Sequence, residues 1–367
     1  MNIPLERLMR PGVREILPYS PGKPVEEVER EYGLRGAVKM ASNENPSGPS
    51  PLAVEALKKA SGSVNIYPDG GCYYLKEKMS AFLGTPPGSI IPGNGSDEII
   101  RVITETFLNE GEEAIISRPS FVVYETAVKV MGGKCRFVEL NRDFSYDIDG
   151  ILASVNEKTK LVFFANPNNP TGTIVSKASA DYYMKNIPEN VITIFDEAYF
   201  EYVETGDYPD SLEYISSGAP VITLRTFSKI YGLAGLRIGY GITHPEMVSE
   251  MNRVRQPFNV NSLAQAAAMA AVSDGEHLEK SRQLNREGKK YLYRELQGLG
   301  IDYVPTEANF ILLRVGNAEK ACEGLIRQGV IVRGMGCYGL DDFIRVTIGL
   351  EDENIKFIES LKRYGED

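Results

Sequence analysis

A chain of 367 residues is long for one hydrophobic core and suits two domains. Hydrophobic residues at 43% and charged residues at 25% are ordinary for a globular fold. Lys+Arg 40 against Asp+Glu 50 gives a net charge of -10, which argues against a general nucleic-acid binder while leaving room for a local basic pocket around an anionic ligand.

The opening Met1–Arg7 lacks the apolar stretch of a signal peptide, and no run approaches the ~18 apolar residues of a membrane span. The expected setting is cytoplasmic, with no membrane partner. Pro11, Pro18, Pro21 and Pro24 punctuate residues 1–45, which read as an irregular arm with one short helix over Val25–Tyr32. From Pro51 onward, helical and strand patterns alternate. Apolar, β-rich runs occur at Ala114–Ser117, Lys134–Leu140, Leu161–Ala165, Val191–Phe195, Val221–Arg225 and Leu236–Ile242. Helical patterns such as Asp97–Leu108, Phe121–Val130 and Ala178–Lys185 lie between them. This alternation predicts an α/β fold whose mostly parallel sheet is covered on both faces.

After Pro257 the texture changes. An Ala-rich helix is predicted over Ser262–Val272 and a long charged one over His277–Leu299. Strands at Phe310–Val315, Val330–Arg333 and Phe343–Ile348 then mix with helices at Glu319–Gln328 and Glu353–Arg363, as in a smaller α+β unit. The expected division is an arm over 1–45 that joins the small unit, a large domain over 46–257, and a small domain over 258–367.

Cys72, Cys135, Cys322 and Cys337 stand far apart with no C-x-x-C pair, so buried free thiols are expected rather than a zinc site or disulfides. The two histidines, His244 and His277, accompany no nucleophile and read as surface or helix-end residues. Gly334-Met335-Gly336-Cys337-Tyr338-Gly339 spells G-x-G-x-x-G, but Leu340-Asp341-Asp342 and another strand follow it. A dinucleotide site needs a helix there.

The chemistry lies at strand ends, where open α/β sheets bind ligands. Val221–Leu224 runs into Thr226-Phe227-Ser228-Lys229, with Arg237 eight residues on. Two hydroxyls and an arginine beside a lysine suit a phosphate monoester whose carrier also bears an aldehyde. Asp196 ends the apolar run Val191–Phe195, so its carboxylate would be partly buried and need a cationic partner. The protonated ring nitrogen of pyridoxal phosphate is such a partner. Tyr199 could reach that ring's phenolic oxygen. Asn169 follows Leu161–Ala165 in a turn shaped by Pro170 and Gly172, which aims an amide at the same crevice. Gly95, Ser96 and Asp97 open a helix whose free N–H groups suit an anion. Phe121 could stack on the ring. Asn169, Asp196 and Lys229 come 27 and 33 residues apart, each on the next strand-like unit.

With these residues, and with Ser42-Asn43-Glu44-Asn45-Pro46, Ile66-Tyr67-Pro68-Asp69 and Ile344-Arg345-Val346-Thr347-Ile348-Gly349, the chain resembles the class I and II aminotransferases, and above all the histidinol-phosphate aminotransferases. The resemblance implies a pyridoxal-phosphate enzyme of fold type I, moving an amino group between glutamate/2-oxoglutarate and imidazole acetol phosphate/histidinol phosphate. It implies that Lys229 carries the Schiff base, Asp196 pairs with the ring nitrogen, and Asn169 and Tyr199 contact the ring oxygen. Ser228, Arg237, Thr226 and the Gly95-Ser96-Asp97 turn would hold the phosphate. Tyr67 would reach the partner's phosphate across a homodimer interface. Arg345 would grip a substrate carboxylate, with Arg333, Tyr19 and Asn45 in the substrate pocket. Two departures stand out: no tryptophan is present, and Gly70 replaces the proline usual in such chains. An aromatic amino acid aminotransferase or a threonine-phosphate decarboxylase of the same fold is the alternative activity.

Overall fold

The computed structural model describes residues 3–18 and 22–365. Strands run in the order β1 (Val38–Lys39), β2 (Ile90–Gly93), β3 (Glu113–Arg118), β4 (Lys134–Glu139), β5 (Thr159–Ala165), β6 (Ile192–Asp196), β7 (Val221–Thr226), β8 (Gly239–Ile242), β9 (Tyr303–Val304), β10 (Phe310–Arg314), β11 (Val330–Ile331), β12 (Arg333–Met335) and β13 (Leu340–Thr347). Seven of them form one sheet in the order β2-β8-β7-β6-β5-β3-β4. The β4, β3, β5, β6 and β7 strands are parallel neighbours, and only β8 meets both of its neighbours antiparallel.

Side-chain alternation explains why these strands read as continuous apolar runs. Along β5, Val162 and Phe164 enter the core on one face, while Leu161, Phe163 and Ala165 enter the core on the other. Along β7, Val221 faces the first core and Ile222 and Leu224 the second. A sheet covered on both sides has no polar face to show. β2 escapes such a search, since its four residues include Pro92 and Gly93.

Two expected boundaries shift for local reasons. The run Leu236–Ile242 becomes strand only from Gly239, because Ala234–Leu236 forms a 3-10 turn and Arg237 takes a left-handed backbone with φ 53°. The run Val330–Arg333 is split, its first half pairing in parallel with β1 and its second half lying antiparallel to β13. That pairing ties the arm to the small unit, whose own sheet has the order β12-β13-β10-β9.

The helix Ser262–Val272, which starts beyond the expected boundary at 257/258, packs on the core of the large sheet. Asn261 caps it through Ala264 N–H, and its Ala264, Ala267, Ala268 and Ala271 sit in the large-sheet core beside Ala53, Leu75 and Met79. Small side chains let it lie close against the helices Pro51–Ala60 and Tyr73–Leu83. The helix Gly275–Gly298 touches both cores: Leu278 packs on that of the large sheet, and Leu292 and Leu296 belong to a second one with Ile311, Ile344 and Phe357.

The thiols depart partly from expectation. All four are free, but only Cys72 is buried; Cys135 and Cys322 are half-buried, and Cys337 is exposed. His244 precedes the helix Pro245–Met251 as its N-cap, while His277 is buried in the first turn of its helix. Gly336–Tyr338 forms a 3-10 turn leading directly into β13, so the G-x-G-x-x-G stretch opens no helix. Among the described residues no helix is long and apolar enough to cross a membrane.

Candidate active site

The carboxyl ends of β5, β6 and β7 lie side by side, with Ala165 opposite Asp196 and Asp196 opposite Leu224 in register. Loops leaving these ends carry Asn169 and Lys229 into one cleft of about 210 Å3. Its wall includes Asn169, Asp196, Tyr199, Thr226, Ser228, Lys229, Arg237, Ser96, Asp97, Phe121, Arg333 and Arg345. Three polar groups far apart in sequence thus converge because their strands are parallel neighbours.

Asp196 is 5% exposed and accepts from Tyr124 Oη at 2.7 Å and from Ala198 N–H at 3.2 Å. Burial raises its carboxyl to about 6, with the Tyr124 hydrogen bond pulling the other way. No cation pairs with it among the described residues, so the buried charge is left for a ligand cation to balance. Tyr124 lies in the first turn of the helix Val123–Val130, three residues after Phe121, whose ring meets it edge-on at 5.6 Å. Sequence reading missed Tyr124; its i, i+3 spacing from Phe121 was the available signal.

Lys229 Nζ donates to Ser42 O at 3.3 Å and stands 5.5 Å from the centroid of the Tyr199 ring. Its loop depends on Gly232, where φ is +69° and a Cβ would lie 2.2 Å from Gly48 O. Asn169 Oδ1 accepts from Arg345 Nη1, which leaves the amide Nδ2 as the group offered to a ligand. Arg345 Nη2 donates to Ala41 O at 2.9 Å.

At the other end of the cleft, Arg237 reaches Ser228 Oγ at 3.3 Å and Asp97 at 3.7 Å. Ser228 N–H donates to Thr226 Oγ1 at 3.0 Å. Gly95 is the N-cap of the helix Ser96–Phe107, and a Cβ there would meet Arg237 Nη2 at 2.6 Å. Hydroxyls, a guanidinium and a helix N-terminus together form an anion cradle. No side chain caps this helix; the Glu98 carboxylate accepts from Asn94 N–H at 2.6 Å and from Asn259 Nδ2 at 2.6 Å, fixing the turn that leads into it.

Beneath the site, Arg225 and Glu197 form a buried ion pair at 2.8 Å, with the guanidinium 3.7 Å over the Phe200 ring. Burial works against the Arg225 charge, but the Glu197 carboxylate overrides it and raises its pKa. This pair faces away from the cleft lining and anchors the β6–β7 ends.

Two expected site residues, Asn45 and Tyr67, are placed elsewhere. Asn45 does not line the cleft: its Nδ2 donates to Ile230 O at 2.7 Å and Ser281 Oγ at 2.9 Å, so its amide ties the loop after Lys229 to the long helix. The neighbouring Asn43 lines the cleft in its stead, giving its amide to Tyr199 Oη at 3.0 Å. Tyr67 is 79% exposed, stacks on Phe258 at 4.8 Å, and edges a separate surface groove with Pro68, Asn261 and Leu263. Tyr19 lies outside the described residues.

The sequence matches the family model for aminotransferase class I and II over residues 35–360. It is 51% identical to a histidinol-phosphate aminotransferase from Moorella thermoacetica, covering 96% of this chain and 92% of the relative. It is 46% identical to histidinol-phosphate aminotransferase 1 of Nitrosococcus oceani, covering 97% and 96%. In structure it resembles the Sinorhizobium meliloti histidinol-phosphate aminotransferase in complex with pyridoxal-5'-phosphate, with TM-score 0.88, 27% identity and 97% of each chain covered. An aspartate aminotransferase from Thermus thermophilus shares the fold, with TM-score 0.84 at 22% identity over 97% of this chain and 99% of that one. With this family model and these relatives matched over nearly its whole length, the chain belongs to the class I and II aminotransferases and, within them, to the histidinol-phosphate aminotransferase family.

Proposed function

We propose that this cleft binds pyridoxal phosphate through Lys229 and moves an amino group between glutamate/2-oxoglutarate and imidazole acetol phosphate/histidinol phosphate. The observation that carries the reading is the convergence of Asn169, Asp196 and Lys229 on one cleft. When bound, the cofactor supplies an aldehyde for amine exchange and a cationic ring that accepts the electrons released with the substrate α-proton.

The residues then divide the work. Asp196, buried with no cation beside it among the described residues, supplies the counter-charge for the ring nitrogen. The free Nδ2 of Asn169 and the hydroxyl of Tyr199 donate to the ring oxygen. Phe121 covers a ring face. Ser228, Arg237, Thr226 and the Gly95-Ser96-Asp97 turn hold the phosphate. Lys229 Nζ would be the base that takes the substrate α-proton and the acid that returns a proton on the far side of the transferred nitrogen. Arg345 holds the carboxylate of glutamate, and Arg333 meets the phosphate of the second substrate.

The proposed assembly is a homodimer. Val64, Ile66, Tyr67, Tyr73 and Tyr74 are exposed large apolar residues on one stretch of surface, and Tyr67 would pass from it to the partner's phosphate cradle. The reading keeps the cytoplasmic setting expected from the sequence.

A spectroscopic experiment tests the activity. Protein purified with pyridoxal phosphate should be yellow, and glutamate should shift its visible band. Histidinol phosphate should do so at low concentration where phenylalanine does not. A response to phenylalanine but not to histidinol phosphate would transfer the substrate assignment to aromatic amino acids.

A further inference from the structure

The segment Met40–Asn43 passes through the cleft between the lysine and the small-unit sheet, and each of its carbonyls is taken. Met40 O accepts from Thr347 N–H at 2.8 Å, Ala41 O from Arg345, Ser42 O from Lys229, and Asn43 O from Asn309 Nδ2 at 3.0 Å. Asn43 is 1% exposed and holds a left-handed backbone with φ 56°, a conformation that asparagine tolerates better than most side chains.

Hydrogen-bond direction gives this residue its interest. Thr347 Oγ1 accepts from Asn43 N–H at 2.9 Å and donates its own hydrogen to Asn43 Oδ1 at 3.2 Å. With the amide oxygen engaged, Asn43 Nδ2 is directed to Tyr199 Oη at 3.0 Å. Turning the amide over would leave the Thr347 hydroxyl hydrogen with no acceptor among the described residues, in a site only 4% exposed. A phenol that accepts from an amide keeps its own hydrogen to give elsewhere. Tyr199 lines the cleft, so that hydrogen is available there.

We propose that Asn43, oriented by Thr347, is a positioning residue that makes Tyr199 a hydrogen-bond donor into the cleft, toward the ring oxygen of the cofactor. The inference rests on the pyridoxal-phosphate reading above. It links the substrate arginine's strand to the cofactor, since Thr347 lies two residues beyond Arg345 on β13. A donor aimed at the ring oxygen favours its ionised form, so losing the donor raises the pH at which the bound cofactor's visible band titrates.

The test uses the holoenzyme and variants that spare the backbone. Asn43→Gly retains the positive φ and removes the amide, and Thr347→Val keeps the side-chain shape without the hydroxyl. The titration midpoint of the visible band should rise by roughly one pH unit in Asn43→Gly, and by less in Thr347→Val. Asn43→Asp, which can only accept when ionised, should move it at least as far as Asn43→Gly. Affinity of the apoprotein for pyridoxal phosphate, read by absorbance titration, should fall several-fold in parallel. In a Tyr199→Phe background, Asn43→Gly should add no further midpoint shift; a merely structural role would leave the two effects additive. An unmoved midpoint in Thr347→Val and Asn43→Gly overturns the proposal, as does full additivity with Tyr199→Phe. Should Asn43→Gly fail to fold, Thr347→Val decides. A parent protein that develops no visible band sinks the cofactor reading itself, whereas a parent that does so while the variants keep its midpoint sinks only the role of Asn43.

Discussion

Arg333 and Arg345 stand directly opposite each other on the antiparallel strands β12 and β13, and both line the cleft. Like charges across a strand pair repel. Arg345 is held by Asn169 and by Ala41 O, and its Nε is buried with no partner among the described residues. In the proposed reading, a doubly anionic substrate would add to what holds the two cations side by side. Glutamate brings two carboxylates, and a phosphorylated imidazole brings a phosphate.

The two arginines should therefore separate in steady-state kinetics. Arg345→Ala should lower kcat/KM for glutamate by roughly 10- to 100-fold, the loss of a charge-assisted pair. Arg333→Gln should act mainly on the phosphorylated substrate and leave glutamate within a few-fold. Equal losses for both substrates in Arg333→Gln would remove its phosphate role.

Lys229→Ala should abolish the visible imine band and lower turnover by about 1,000-fold or more, because the proposed function gives this residue both the cofactor bond and the proton transfer. Absorbance and a single-turnover assay measure the two effects separately. Undiminished turnover would overturn the assignment of the lysine.

Asp196 gives the apoprotein a pH signature. Burial raises its carboxyl to about 6, above the ordinary carboxylate range, so folding takes up a proton between about pH 4 and pH 6. Its contribution favours the fold fully below pH ~4 and is lost as pH rises through 6, where the ionised form must be buried. Chemical denaturation of the apoprotein should show that loss, and Asp196→Asn should flatten it. Tyr124→Phe removes the hydrogen bond that restrains the shift and should move the lost stability to higher pH. A profile for Tyr124→Phe that overlays the parent would contradict the role of that hydroxyl.

Gly95→Ala should disturb the phosphate cradle more than the fold. At φ +79° the new Cβ is strained and would lie 2.6 Å from Arg237 Nη2, so the guanidinium must move. Stability should fall by about 1–2 kcal/mol, while affinity for pyridoxal phosphate falls roughly tenfold or more. Calorimetry and cofactor titration distinguish the two.

Glu197→Ala leaves Arg225 buried without its counter-charge. Loss of one partner of such a pair costs about 3–5 kcal/mol. Urea unfolding of the apoprotein should show that loss, and replacing both residues by apolar ones of similar volume should recover much of it.

Near-continuous apolar runs bounded by polar turns made β3, β5, β6 and β7 readable, since strands buried on both faces have little freedom in composition. The order Asn169, Asp196, Lys229 was readable for the same reason: Asp196 ends one such run, and Asn169 and Lys229 follow within a few residues of the ends of the strands on either side. The sequence by itself therefore determined the α/β alternation and the three chemical groups at successive strand ends. Only the tertiary structure decided which asparagine of Asn43 and Asn45 faces the cleft, because both sit in one polar segment and Thr347, Ile230 and Ser281 claim them from distant elements. It also decided that Tyr124 supports Asp196 and that the alanine-rich helix Ser262–Val272 belongs to the large core. Local pattern reports burial and backbone geometry, whereas hydrogen-bond partners hundreds of residues apart are chosen by packing.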